Sequence, residues 1–376
     1  MKKKIVFMAI AVCILLAVTL CAALIGGELS LRGVRRAWSV MTGISVDAAY
    51  TFEPGLCDVF ADIDGTIVAA GGSGFAAYSR RGEELVRVGY SMKTPAIASG
   101  GGLAVVYDIG GHTIRTVYSD GAVAELPVAG EIISVSVGLG GEFAVCTTEK
   151  GEYKGRAAFY KMSRGEPVLL YEWYSAEGYV LGAAVSADGK RFAVNTLNAN
   201  GGRIVFLNAG SEELAAEHIN SRGAVLEITF DRGGVLAART LYDVMLLDPR
   251  SSSVVATFDF DGSLPDGYCA AADGFVSVHL ESAPGVPGAL VSFDMKGREL
   301  GRLQTSRRLV SLTARGDRIA ALWSDGLDIY DKSLRLIASY PDASGNKYAF
   351  SRGGQSAVVM SGRDGRAFAK QEKNGV

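Results

Sequence analysis

His112, His218 and His279 are the only histidines in the 376-residue chain, so metal or general-base chemistry that uses imidazole has to start from them. A metal site needs several ligands converging on one point, and a nucleophile needs a base within reach. The repeat layout derived below sends the three to different blades, on or beside strands, and they read as structural residues. Gly71-Gly72-Ser73-Gly74-Phe75 has the outline of a nucleophile elbow, which works only at a strand-to-helix turn. Here the run lies between two strand-like segments, and Ser73 is not expected to be catalytic. Asp62-Ile63-Asp64-Gly65 and Asp259-Phe260-Asp261-Gly262 open like calcium loops but lack the later oxygen ligands and the distal Glu. Asp and Gly are also what tight turns select, and both segments read as turns. Outside the N-terminal apolar run, Cys57, Cys146 and Cys269 show no metal-ligand spacing. They read as small buried hydrophobes, with a single disulfide as the alternative. No Gly-rich loop opens a helix to cradle a phosphate. The residues therefore assign no catalytic group, no cofactor and no metal.

The elements behind these residues repeat. Eight times, at a mean interval of roughly 41 residues, a Gly or Asp-Gly turn is followed by a short apolar run and then by further strand-like runs. The turns begin at Asp64-Gly65, Gly100-Gly101-Gly102, Gly140-Gly141, Asp188-Gly189, Gly233-Gly234, Asp273-Gly274, Arg315-Gly316 and Gly353-Gly354. One four-stranded blade per repeat predicts an all-β fold, an eight-bladed β-propeller, with seven blades as the alternative if one repeat is a decorated loop. The last repeat runs out of chain after its third strand, near Lys370, whereas Val46 to Phe52 is a strand-like run without a repeat of its own. Val46 to Phe52 is therefore expected to supply the missing outer strand and close the ring, removing an open sheet edge.

Hydrophobic residues make up 48% of the chain and charged residues 21%, a balance that buries a core and excludes disorder. Six basic residues stand against Glu28 alone in the first 36, so the remainder is more acidic than the formal net charge of -2 suggests. An acidic domain without a basic stripe excludes nucleic acid as a partner.

Ile5 to Ile25 carries no charge and follows Lys2, Lys3 and Lys4. At ~1.5 Å per residue it is long enough to cross a hydrocarbon core of ~30 Å. The reading is a single N-terminal transmembrane helix, with a signal peptide cleaved after Cys21-Ala22-Ala23 as the competitor. Lysines 2 to 4 favour an inside N-terminus and a propeller outside the cell membrane. Leu31, Val34, Trp38 and Met41 recur at helical spacing opposite Arg32, Arg35 and Arg36, predicting a juxtamembrane amphipathic helix. The expected organisation is 1-27 tail and anchor, 28-43 amphipathic helix or linker, and 44-376 propeller.

The segment from Ala96 through Ser99-Gly100-Gly101-Gly102 to Asp108, the run Tyr174 to Tyr179, and Ser186-Ala187-Asp188-Gly189-Lys190-Arg191-Phe192-Ala193-Val194 resemble the "domain of unknown function 5711" family. The resemblance covers most of the chain and implies a membrane-anchored propeller of Gram-positive bacteria. Its function is unassigned, so no site residue carries over.

Propellers host enzymes and scaffolds alike, so function has to come from a site. The most informative candidates are long or aromatic loops on the face shared by outer-to-inner and second-to-third connections. Trp173-Tyr174 and the loop ending at Tyr268 stand out there, because exposed Trp and Tyr are the residues of interface hot spots. Trp173, Tyr174 and Tyr268 are the expected partner-binding residues. The reading is a membrane-anchored binding module or scaffold for a protein or a cell-wall glycan. The alternative is a lactonase- or quinoprotein-like enzyme with its site in the central channel.

Overall fold

The computed structural model describes residues 44–45, 49–211, 213–271, 273–281, 286–352 and 356–370. Among them the chain is built of strands, joined by turns and one 3-10 turn, Pro341–Ala343. The predicted anchor and amphipathic helix lie outside the described residues. Among the described residues no helix is long and apolar enough to cross a membrane.

Eight antiparallel sheets form, spanning 59–89, 95–127, 132–175, 179–220, 227–259, 264–305, 309–340 and 348–370, so the protein is an eight-bladed β-propeller. The burial of each strand explains its sequence. Second strands such as Thr66–Gly71 and Phe143–Thr147 are buried throughout, because a neighbouring blade covers each side; they read as continuous apolar runs rather than alternating ones. Outer strands face solvent on one side, and Glu84–Gly89 and Val254–Asp259 alternate accordingly. The core is therefore a series of clusters, each shared by two successive blades. Phe159 of blade 3 stacks on Phe192 of blade 4 at 4.1 Å, a typical inter-blade contact.

The chain divides into two compact units, residues 48–367 and a unit holding residues 1–47 with 368–376. In the smaller unit, Ile44 pairs with Lys370 and Ser45 with Ala369. In the larger one, Ala49–Thr51 pairs antiparallel with Asp364, Gly365 and Arg366, and the Phe52 amide donates to the Arg363 carbonyl at 2.8 Å. A strand from the N-terminal part of the chain thus lies outermost in blade 8. Of the run expected there, Val46 to Ala48 lies outside the described residues.

Two sets of contacts join blade 8 to blade 1. Tyr50, Phe52, Phe60 and Tyr78 pack into one buried cluster, with Phe52 4.9 Å from Phe60 and 5.3 Å from Tyr78, ring to ring. Beside them Arg352 donates from Nε to Asp62 Oδ2 at 2.8 Å, and from Nη2 to the Tyr50 hydroxyl and the Gly65 carbonyl. Asp62 Oδ1 accepts the Gly65 amide at 2.8 Å. The Asp64-Gly65 hairpin has positive φ at both central residues, 54° and 100°, the geometry that makes an Asp-Gly pair the natural choice. Asp62-Ile63-Asp64-Gly65 is thus a turn whose first carboxylate seals the ring.

Candidate binding face

Strand direction sorts the connections. Outer-to-inner and second-to-third connections emerge on one face of the blades, here the upper; inner-to-second and third-to-outer hairpins emerge on the lower.

The lower face holds a cavity of about 590 Å³ at the inner-strand ends, lined in part by Asp62, Asp64, Arg232, Asp273 and Arg315. These charges meet one another. Arg315 contacts Asp62 at 3.7 Å and also Asp64, and Arg232 reaches Asp273 at 3.4 Å. The hairpins pack backbone to backbone: a Cβ on Gly101, at φ 53°, would lie 2.6 Å from the Leu139 carbonyl oxygen. Charge here is spent on holding hairpins together.

The histidines do not converge. His112 Nδ1 lies 3.1 Å from the Gly130 carbonyl oxygen, and His218 sits on an outer strand opposite Ile204. His279 is buried on the second strand of blade 6 with Nδ1 on the Asp266 carboxylate and its ring edge-on to Trp323 at 5.5 Å. Asp266 reaches it because the inner strand bulges between Pro265 and Gly267, which re-aims the side chain. Among the described residues no group of three or more His, Cys, Asp or Glu is placed to hold a metal ion, and Cys57, Cys146 and Cys269 are free thiols.

Trp173 and Tyr174 belong to the outer strand Glu166–Ser175, paired with Ala157 and Arg156, rather than to the loop after it. A longer strand than the sequence suggests keeps both on the ladder. Trp173 packs against the core between blades 3 and 4. Tyr174 is exposed, donates its hydroxyl to Glu172 Oε2 at 2.9 Å, and lies 5.2 Å from the exposed ring of Tyr153. Tyr268 is likewise in a strand, the inner strand Leu264–Ala271. Its hydroxyl is shut off from water, Arg239 covers its ring at 5.3 Å, and burial pushes its pKa well above the ordinary phenol range.

The upper face instead gathers exposed apolar side chains on blades 4 to 6. Tyr179, Ile219, Leu226, Leu241, Tyr242 and Leu264 all stand there, each at a strand end or in a connection. The centre of this set is the second-to-third turn of blade 5. Thr240 and Asp243, 2% and 3% exposed, are its posts. The Thr240 hydroxyl donates to Asp243 Oδ1 at 2.7 Å and accepts the Tyr242 and Asp243 amides; the Thr240 amide donates to the Asp243 carbonyl at 2.9 Å. Arg222 donates to the other Asp243 oxygen at 2.8 Å and lies 5.5 Å from the Tyr242 ring. Held this way, Leu241 and Tyr242 project with 54% and 50% of their surface in solvent. The turn was legible in principle: Thr240-Leu241-Tyr242-Asp243 puts two large apolar residues where a tight turn ordinarily places Asn, Asp or Gly.

Residues 39–340 match the family described as "Family of unknown function (DUF5711)". The chain belongs to this family. No curated protein matches the chain in sequence. Among solved structures, the chain is similar to Saccharomyces cerevisiae Sqt1, with TM-score 0.63, 9% identity, and 86% of this chain and 98% of that one covered. BamB from Moraxella catarrhalis is similar with TM-score 0.56 at 15% identity, covering 86% and 99%. The C-terminal WD40 domain of Sif2 gives 0.61 at 12%, covering 88% and 99%. At these identities the likeness is one of fold.

Proposed function

We propose that this DUF5711 protein is a protein-binding propeller of the cell envelope, tethered by Ile5 to Ile25, whose partner docks on the upper face of blades 4 to 6. The observation that carries the reading is the Leu241-Tyr242 turn. A soluble surface gains nothing from holding two large apolar side chains out in water on an ordered turn, whereas an interface gains contact area from a turn whose backbone is already ordered. Ile219, Leu226 and Leu264 around them are aliphatic, which suits a protein surface better than a glycan: they offer neither a flat ring nor hydrogen bonds to a sugar. Tyr174 and Tyr153 extend the same face onto blade 3.

The test places a photo-crosslinking amino acid at Tyr242 in cells, with Lys332 on a lower-face hairpin as the control. A discrete protein adduct from position 242, absent from 332, is expected. No adduct at 242, or equal adducts at both, sinks the proposal. The same Lys332 position replaced by Cys reports topology: labelling by a membrane-impermeant reagent in intact cells is expected, and protection until lysis reverses the orientation.

A further inference from the structure

Resting on that binding face, we infer that the partner presents a basic polypeptide segment, Lys or Arg side chains interleaved with apolar ones, to blades 4 to 6. The charge around the apolar knob is one-sided. No lysine stands between Lys190 and Lys296, a stretch that includes all of blade 5. Three arginines around the knob are already committed: Arg203 is 2.6 Å from Glu217, Arg239 is 3.5 Å from Glu227, and Arg222 serves both Asp243 and Asp259; the exposed Arg308 lies farther off, in the connection leaving blade 6. Two carboxylates on one guanidinium leave a net negative charge at the foot of Tyr242. The exposed carboxylates of Asp261, after the outer strand of blade 5, and Glu281, at the end of the second strand of blade 6, add to it.

The combination narrows the occupant. An anionic lipid surface and a phosphate backbone are both repelled by such a face. An acidic partner would bury like charges, at a cost of several kcal/mol. A cationic segment pairs with the spare carboxylates, places a guanidinium or ammonium against the Tyr242 ring, and covers Leu241 and Leu264 with its own apolar residues.

The experiment uses the full-length chain and two synthetic amphipathic peptides, one of alternating Lys and Leu and one with Glu for every Lys, followed by fluorescence anisotropy. The Lys/Leu peptide is expected to bind, at least about tenfold more weakly at 500 mM than at 50 mM salt as exposed charges are screened. The Glu/Leu peptide is expected not to bind. Asp259→Asn with Asp261→Asn and Glu281→Gln should weaken the Lys/Leu peptide about tenfold, and Leu241→Ser with Tyr242→Ser should weaken it at low and high salt alike. Asp317→Asn on the lower face should leave it unchanged. Equal binding of both peptides, or equal weakening by Asp317→Asn, overturns the basic-segment inference. A protein adduct at Tyr242 whose yield is unaffected by the three acid-neutralising substitutions overturns it too, while leaving the binding face itself standing.

Discussion

Replacing Arg352 with Met removes one half of the ion pair that joins blade 8 to blade 1. The Asp62 and Arg352 side chains are 3% and 6% exposed, so neither charge can turn to water when its partner is lost. Arg352→Met leaves the Asp62 carboxylate with the Gly65 amide and a guanidinium, Arg315, 3.7 Å away. Breaking a buried pair from one side costs about 3–5 kcal/mol. For a unit of about 320 residues, an unfolding entropy of ~2.1 cal/mol/K per residue converts this into a fall in Tm of roughly 4–7 °C. Arg315→Met is the internal control. Its side chain is 43% exposed, and an exposed pair contributes about 0–1 kcal/mol, a Tm change of roughly 1 °C. A double variant, Arg352→Met with Asp62→Asn, should recover much of the loss, because removing both charges removes the uncompensated one. Differential scanning calorimetry of the three variants decides the matter. If Arg352→Met lowers Tm no more than Arg315→Met does, the buried pair is not what holds the ring closed.

The acid limb offers a second test. Burial acts to raise the Asp331 pKa, but the Ser333 hydroxyl, the Arg335 and Ser333 amides and the Arg335 guanidinium together lower it to about 2. A depressed carboxylate stabilises the fold above its unfolded pKa of about 4 and loses that contribution as pH falls through the folded value. The stability gap between wild type and Asp331→Asn should be full above about pH 5 and closed below about pH 2, as urea midpoints across that range will show. Cys146 is 1% exposed, with burial pushing its thiol up to about 12, so it should resist a water-soluble thiol reagent at pH 8 until the fold is opened by denaturant. Leu241→Ser with Tyr242→Ser, both in solvent, should change stability by less than about 0.5 kcal/mol per site in thermal melts; a larger loss would give these residues a structural role.

What was legible in the sequence was local. Asp64-Gly65 announces a hairpin because only a few residue types tolerate the backbone it requires, and the same logic repeated around the chain yields eight blades. Continuous apolar runs and alternating runs likewise mark second and outer strands, since burial on two sides or one is written into the residues themselves. The endpoints were less legible. Trp173 and Tyr174 read as loop because a ladder's length depends on its partner strand, here Gly155–Ser163, and not on the outer strand alone. Tyr268 reads as loop for the same reason, its strand being set by pairing with Phe275–Glu281. Nothing in the pattern near Asp62 says that its carboxylate meets Arg352, 290 positions along, because that contact is made by the ring and not by the repeat. The proposed binding face falls between these cases: its connections are recognisable in the sequence, but exposed aromatic residues beside a strand end draw attention away from the apolar pair inside the Thr240-Asp243 turn.

Closure of the ring by Ala49–Thr51 has a consequence for the order in which the molecule can be made. Blades 2 to 7 each draw their four strands from one continuous stretch and can assemble as synthesis proceeds. The seam between blades 8 and 1 cannot, since Tyr50 must wait for Arg352, 302 positions later. Until then the aromatic side of blade 1, with Phe60 and Tyr78, has no covering sheet. That contact needs the last strands to be made, so a nascent chain arrested just short of Asp364 would hold nearly every blade yet keep an open, adhesive edge. Closure of the ring therefore waits on Tyr348–Ser351, Ser356–Met360 and Asp364–Lys370, the strands that Ala49–Thr51 completes.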